Sequence, residues 1–423
     1  MSAVATPAAV PVAVSRRQKI MGFFFLALGA FMILGFGLGA KGGLSSKFGL
    51  NPVNTEQAWH IGDLDLPSRA TSYVLGAACL FLGGWQLVKG FGRKANAVLG
   101  IVVALFVVAF LTWAARDKSF NLIGMLQTTI GLSVPITFGA LSGVLCERSA
   151  VINVGIEGML LSGAFTGAFV GSVSHSLWIG LISGALVGAA LAWLLAVLAI
   201  RYRVDQIIVG VFINIFALGA TSYLSARFLQ RNVSLNSPGT FDPVALPVLS
   251  KIPIIGPVLF RQNIFVYLMF LFVAAIHFGL YYTRWGLRVR AVGEHPKAAD
   301  TVGIRVLFTR YRNVILGGIV AGIGGAYLTL GAVGRFDENM SAGRGFIGLA
   351  AMIFGRWNPI GAFMAALVFG FADSLQTKLS ILAVPIPSEF LLMAPYLVTI
   401  LVVAGVAGRS RAPAADGKPY IKE

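Results

Sequence analysis

The chain has 423 residues, 57% of them hydrophobic and 12% charged, with a mean hydropathy of +0.83. That is too apolar for a soluble globular protein, so the sequence reads as an integral membrane protein. The net charge of +17 then needs no nucleic acid, because basic residues mark cytoplasmic loops and face anionic membrane lipid.

Residues 1–19, low in complexity, are expected to form a disordered cytoplasmic tail. Arg16 and Arg17 ahead of an apolar run resemble a twin-arginine signal, but the run is long and lacks a small-x-small cleavage site, which favours an uncleaved first helix. Apolar runs of about 20 residues, each enough to cross a bilayer as a helix, follow in order. They lie near Ile20–Ala40, Ser72–Val88, Asn96–Ala115, Leu122–Leu145, Ile156–Ser174, Leu177–Ile200, Ile207–Ala226, Ile264–Tyr282, Val314–Val333, Ile360–Leu375 and Phe390–Ala407. Gly345–Gly355 is too short for an ordinary span and reads as re-entrant or as a broken helix sheltered by protein. The pattern predicts an all-α polytopic membrane protein with about 11–12 membrane-embedded helical segments.

With the N terminus inside and the short segment counted as one crossing, 21 of the 33 Lys and Arg fall on the cytoplasmic side. The opposite orientation reverses the bias, so both termini are expected in the cytoplasm. The most basic loop, 284–312, holds seven Arg or Lys against Glu294 and Asp300. Within it Pro296 suits a first helical position, Lys297–Val302 can form a short helix, and Gly303 suits its left-handed end. A two-turn helix is marginal alone in water, so neighbouring segments or another protein must stabilise it.

Cys79 and Cys146 lie in apolar segments without partner spacing, and the four histidines are scattered, so no metal is implied. No G-x-x-x-x-G-K-[ST] occurs, and no hydrolytic constellation is present, so any ATP energy must come from a partner. Several polar residues lie at or near spans. Glu147 and Arg148 are expected to form an interfacial pair. Asn153 and Glu157, four apart, would share a face of a continuous helix, and Glu157 must face protein, water or a partner charge to avoid lipid. Asn214 is expected to make an interhelical hydrogen bond before a ligand contact. Gly343 and Gly345 permit close backbone approach, and Asp373 and Gln376 either line a polar cavity or pair structurally. The segments IEGMLLSGAF and GRGFIGLAAM echo one another faintly, a hint of duplicated halves.

Four blocks, GVLCERSAVINVGIEGMLLSGAF, DQIIVGVFINIFALGATSYL, RAVGEHPKAADTVGI and GRGFIGLAAMIFGRWNPIGAF, occur in this order. Together they resemble the permease subunits of bacterial ABC importers of the branched-chain amino acid, ribose and nucleoside group, with forms most similar to the nucleoside-type permeases. The resemblance covers the core, residues 121–408, leaving 20–115 as a three-helix N-terminal extension and 409–423 as a cytoplasmic tail. It implies a multi-pass protein of the bacterial inner membrane. Its implied partners are a cytosolic ABC ATPase dimer that binds ATP and Mg, a second permease subunit, identical or paralogous, and an extracytoplasmic substrate-binding lipoprotein. The chain itself is expected to bind no cofactor and to have no enzyme activity. The resemblance assigns Glu294, Pro296, Ala298, Ala299 and Gly303 to an ATPase-coupling element, with His295 where relatives often carry a capping Asn. Asn153, Glu157, Asn214, Gly343, Gly345 and Phe346 are candidates for the translocation path, and the proline-rich loop Leu229–Asn263 is either a contact for the binding protein or an ordinary semi-rigid connector. Import of simple sugars or branched-chain amino acids is the nearest alternative. An ion-coupled secondary transporter using Glu157 or Asp373, or a scaffold or membrane enzyme, would be further departures.

Overall fold

The computed structural model describes residues 16–39, 44–52, 61–382, 384, 390, 393 and 411–422. They belong to two compact units: the first holds the described residues up to Leu122 together with 379–382 and 384, the second 123–378, 390, 393 and 411–422. Ten helices among the described residues are long and apolar enough to cross a membrane.

In the first unit α1 (Arg16–Phe31, extended by π-helical turns to Gly37) packs with α2 (Ser68–Val88) and α3 (Ala95–Ala114). A small sheet sets β1 (Ser45–Gly49) antiparallel to β2 (Leu64–Pro67) and parallel to β3 (Ser119–Asn121), with Phe48 opposite Phe120. Phe36 stacks on Trp113 with ring centroids 5.3 Å apart, so aromatic packing holds the end of α1 against α3.

The second unit is built around α4 (Leu122–Glu147), the most deeply enclosed span, which is followed by α5 (Ile156–Ser174), α6 (Leu177–Ala196) and α7 (Gln206–Leu224). Along α7, Ile208, Phe212, Ile215 and Phe216 are exposed, the apolar outer face expected of a helix whose solvent is lipid. The proline-rich loop then forms a two-stranded pair, β4 (Val244–Ala245) and β5 (Arg261–Gln262), around the short α8 (Ile255–Leu259). The chain continues through α9 (Ile264–Tyr282), α10 (Arg284–Glu294), α11 (Pro296–Thr301) and α12 (Val306–Ala326, prolonged by π-helical turns to Val333). It ends its described spans with α13 (Arg344–Phe354) and α14 (Pro359–Ile381).

Helices α6 and α12 cross with their backbones in contact. A Cβ on Gly318 would lie 2.3 Å from the carbonyl oxygen of Gly188, and one on Gly322 2.1 Å from that of Gly184. Small residues at such crossings let dispersion between backbones replace the hydrophobic drive that lipid does not supply.

The span expected to begin at Val314 begins at Val306, eight residues earlier. Thr309, Arg310, Arg312 and Asn313 interrupt the hydropathy but not the helix, because Arg310 is buried with a carbonyl partner and Asn313 bonds back to Thr309 O at 2.6 Å. The short segment is a real helix, α13. At 11 residues it is about 16 Å long, half the hydrocarbon thickness of a bilayer. The span expected over 390–407 lies almost wholly outside the described residues.

Candidate functional site: a braced loop helix and a carboxylate between helix ends

The basic loop is ordered as two helices. Thr283 caps α10, its Oγ1 accepting from Gly286 N at 3.2 Å, and Pro296 opens α11, where its missing N–H costs nothing. Helix α11 ends two residues before Gly303, whose φ of +82° turns the chain toward α12. The short helix starts at Pro296, the expected first helical position, and ends at Thr301, one residue before the expected Val302. His295 makes no side-chain cap, so the N-terminal N–H groups of α11 receive nothing from it. On α11, Ala299 is buried against Val292, Val306 and Tyr420, whereas Ala298 is exposed.

The brace comes from residues 413–420, within the expected cytoplasmic tail. Ala415 N donates to Gly293 O at 3.0 Å, Ala414 N to the Glu294 carboxylate at 3.3 Å, and Arg310 Nη1 to Lys418 O at 3.0 Å. Tyr420 is buried beside Ala299. Asp416 turns inward, and burial pushes its carboxyl up to about 6, against the opposing pull of a hydrogen bond with Glu147, a bond to Gly417 N–H and the nearby Arg310 guanidinium.

The second feature lies where two helices begin. Glu157, in the first turn of α5, is buried, and its carboxylate accepts Ser341 Oγ at 2.6 Å and Gly343 N at 2.8 Å on Oε1, and Gly345 N at 2.6 Å on Oε2. Two of those donors are backbone N–H groups at the start of α13, which have no intrahelical acceptor and sit at the positive end of its dipole. A carboxylate buried among three donors avoids the cost of an unpaired charge in an apolar surround. Gly345 is required by distance: a Cβ there would lie 2.6 Å from Glu157 N and Cα.

Asn214 of α7 does similar work at the start of α5. Its Oδ1 accepts from Gly158 N at 2.8 Å and its Nδ2 donates to Val154 O at 2.9 Å. Asn153 does not share a helical face with Glu157. Its Oδ1 folds back onto Gly155 N at 3.1 Å, an Asx turn that ends the chain's extended run before α5 starts at Ile156. The structure therefore brings Glu157, Gly343 and Gly345 together and gathers Asn153 and Asn214 around the same helix start, while Phe346 points outward and is 48% exposed.

Glu147 and Arg148 are not paired with each other. Glu147 accepts from Trp357 Nε1, and Arg148 donates to Trp357 O at 3.0 Å, Arg356 O at 3.2 Å and Tyr281 Oη at 3.2 Å. They clamp a turn in which Arg356 and Trp357 both adopt positive φ, a conformation costly for residues with side chains and in need of such support. Among the described residues no group of three His, Cys, Asp or Glu converges as a metal site.

Ten candidate spans, a braced two-helix loop and a half-length helix capped from another span define a polytopic helical membrane protein among the described residues. The chain belongs to the family described as the permease component of the branched-chain amino acid transport system, whose model matches residues 125–403. It is 40% identical to the guanosine ABC transporter permease protein NupQ of Bacillus subtilis (strain 168), over 70% of this chain and 96% of that one. It is 39% identical to the nucleoside ABC transporter permease protein NupC of Lactococcus lactis subsp. cremoris (strain MG1363), over 71% and 99%. With the putative glucose ABC transporter permease protein TsgC13 of Haloferax volcanii it shares 34% identity, over 60% and 77%. No solved structure matches the chain.

Proposed function

We propose that this chain is the membrane permease of an ATP-driven nucleoside importer of a bacterial plasma membrane, with both termini and the loop 284–312 in the cytoplasm. The observation that carries the reading is the match to NupQ and NupC over nearly their whole length, at 40% and 39% identity, above the 34% to the glucose-named relative. A cytosolic ATPase dimer hydrolyses ATP with Mg, an extracytoplasmic binding lipoprotein delivers the solute, and this chain converts the ATPase motion into a change of access. Glu294, Pro296, Ala298, Ala299 and Gly303 form the docking element, of which exposed Ala298 meets the ATPase while buried Ala299 ties α11 to the tail.

Glu157, Asn153, Asn214, Gly343 and Gly345 act by holding helix ends beside the path, since their polar atoms are committed within the chain. The second permease is read as a paralogue. Bacillus subtilis (strain 168) also holds the guanosine ABC transporter permease protein NupP, to which this chain is only 22% identical, so the chain corresponds to one of two diverged halves.

The test is uptake of a labelled nucleoside panel in cells with and without this chain, with the partner ATPase intact or inactivated at its phosphate-binding lysine. Uptake that requires both supports the proposal. Uptake that needs this chain but ignores the ATPase would refute it in favour of an ion-coupled transporter, and ATPase-dependent uptake of sugars or branched-chain amino acids alone would refute the substrate assignment.

A further inference from the structure

A cavity of about 490 Å³ is lined by the first half of α10, the turn 302–305 between α11 and α12, and the start of α12. Four arginines, Arg284, Arg288, Arg305 and Arg312, line it, and none has a carboxylate within ion-pairing distance among the described residues. Arg284 and Arg288 are one helical turn apart on α10 and so share a face, while Arg305 immediately precedes α12 and Arg312 lies in its second turn. Arg305 lies over the Phe308 ring at 5.0 Å and Arg312 over the Trp285 ring at 5.8 Å, and four cations lining one cavity favour an anion within it. Two uncharged lining residues hold unused hydrogen-bonding capacity: Trp285 Nε1, a buried donor, and Oδ1 of the fully buried Asn313, an acceptor, have no partner.

The depth of the cavity follows from the chain. Arg284 comes two residues after the last residue of the α9 span, and Arg312 lies within the first two turns of the span that starts at Val306. The cavity therefore sits at the boundary of the hydrocarbon, where a phosphate headgroup resides. Its rim is apolar and open: Leu287, Val302 and Phe308 are each more than half exposed. A soluble anion would leave these side chains in water, whereas a lipid covers them with its acyl chains.

We propose that this cavity is a binding site for an anionic glycerophospholipid of the phosphatidylglycerol type. The arginines and the Trp285 N–H take the phosphate diester, and Asn313 Oδ1 accepts from a headgroup hydroxyl. Basic pockets between membrane helices are suited to such headgroups. The site flanks the hinge between α11 and α12, so a bound lipid would hold the coupling loop to the membrane surface. The assignment rests on the membrane placement of this loop but not on the nucleoside reading.

The test is lipid retention by the purified full-length chain, read by native mass spectrometry during titration with dioleoyl phosphatidylglycerol or dioleoyl phosphatidylcholine. Transport is not needed, so failure here is distinguishable from failure of the importer reading. The expected result is selective retention of one phosphatidylglycerol. Its apparent affinity should fall on the order of tenfold or more in Arg288→Gln/Arg305→Gln, and be unchanged in Arg231→Gln/Arg261→Gln, which removes two exposed charges elsewhere. Equal retention of phosphatidylcholine, or an equal loss in the second pair, would overturn the site. Displacement of the lipid by millimolar inorganic phosphate would make it a soluble-anion site. Loss of ATPase binding with lipid retention intact would make it a protein-docking surface. If the first double variant does not fold, the lipid comparison and the phosphate competition on the unaltered chain still decide.

Discussion

The contact between Glu157 and the start of α13 is open to a single-methyl test. Gly345→Ala would place a Cβ 2.6 Å from Glu157 N and Cα and 2.7 Å from its Oε2, each inside the distance that real Cβ atoms adopt. The neighbours are mostly backbone, so α13 must withdraw, and the Gly345 N–H to carboxylate bond, now 2.6 Å, is broken or stretched. Losing one hydrogen bond to a charged group costs about 1.5–3 kcal/mol, and the overpacking adds about 1–3 kcal/mol, for a total of about 2.5–6 kcal/mol. Ser341→Ala removes one donor without a clash and should cost about 1.5–3 kcal/mol, the smaller effect. The assay is the unfolding midpoint of the purified chain, read beside uptake by the assembled importer. Gly345→Ala should lower the midpoint more than Ser341→Ala and impair uptake. A Gly345→Ala chain with an unchanged midpoint and normal uptake would show that the carboxylate does not hold α13 in place.

Asn214→Leu removes both bonds that join α7 to the start of α5 and leaves Gly158 N–H without its acceptor, so stability should fall by about 2–4 kcal/mol; normal assembly and uptake would take Asn214 out of the site. Tyr420→Ala opens a hole beside Ala299, and the tail should become cleavable by trypsin near Lys418 while the membrane helices stay intact; protection equal to the parent chain would rule out the brace. Docking of the tail should also depend on pH. The Asp416 carboxyl titrates near 6 when docked against an ordinary 3.8 when free, so the docked form binds the proton more tightly and docking strengthens as pH falls through 6. Between pH 7.5 and 5.0 the docking constant should rise about tenfold, seen as slower exchange of the Ala415 amide after correction for intrinsic rate, and Asp416→Asn should abolish the trend. A trend that survives in Asp416→Asn would assign it to another group.

The family and the loop helix were legible because their signals are local. Pro296 and Gly303 bound α11 within eight residues, and the apolar runs mark spans by length alone. The partner of Glu157 was not legible, since its donors lie 184 to 188 residues away and two of them are backbone groups. The sequence showed that Glu157 had to be sheltered, but not by what. The continuous helix through Asn153 failed for a local reason: Asn153 bonds its own backbone two residues on, and Gly155 follows, a turn signal outweighed by the four-residue spacing. The expected Glu147–Arg148 pair failed because adjacent residues on a helix end diverge, and both found Trp357 instead. The brace had little signature, because Ala415 N, Gly293 O and Lys418 O are backbone atoms, although the turn-forming Ala-Asp-Gly-Lys marks where it folds back.

The helix that starts at Val306 beside α11 runs as about 32 Å of α-helix to Ala326 and continues in π-helical turns to Val333, and the next ten residues deliver Ser341 and Gly343 to Glu157. Mechanically this is a strut with a fuse. The strut is stiffened where glycines lock it to α6, so a thrust at its loop end travels as displacement instead of dissipating in bending. The fuse is three hydrogen bonds on one carboxylate, short-ranged and brittle, which hold until a threshold and then release together. A stroke transmitted this way would open or close in a step, and intermediate positions of α13 would be sparsely occupied.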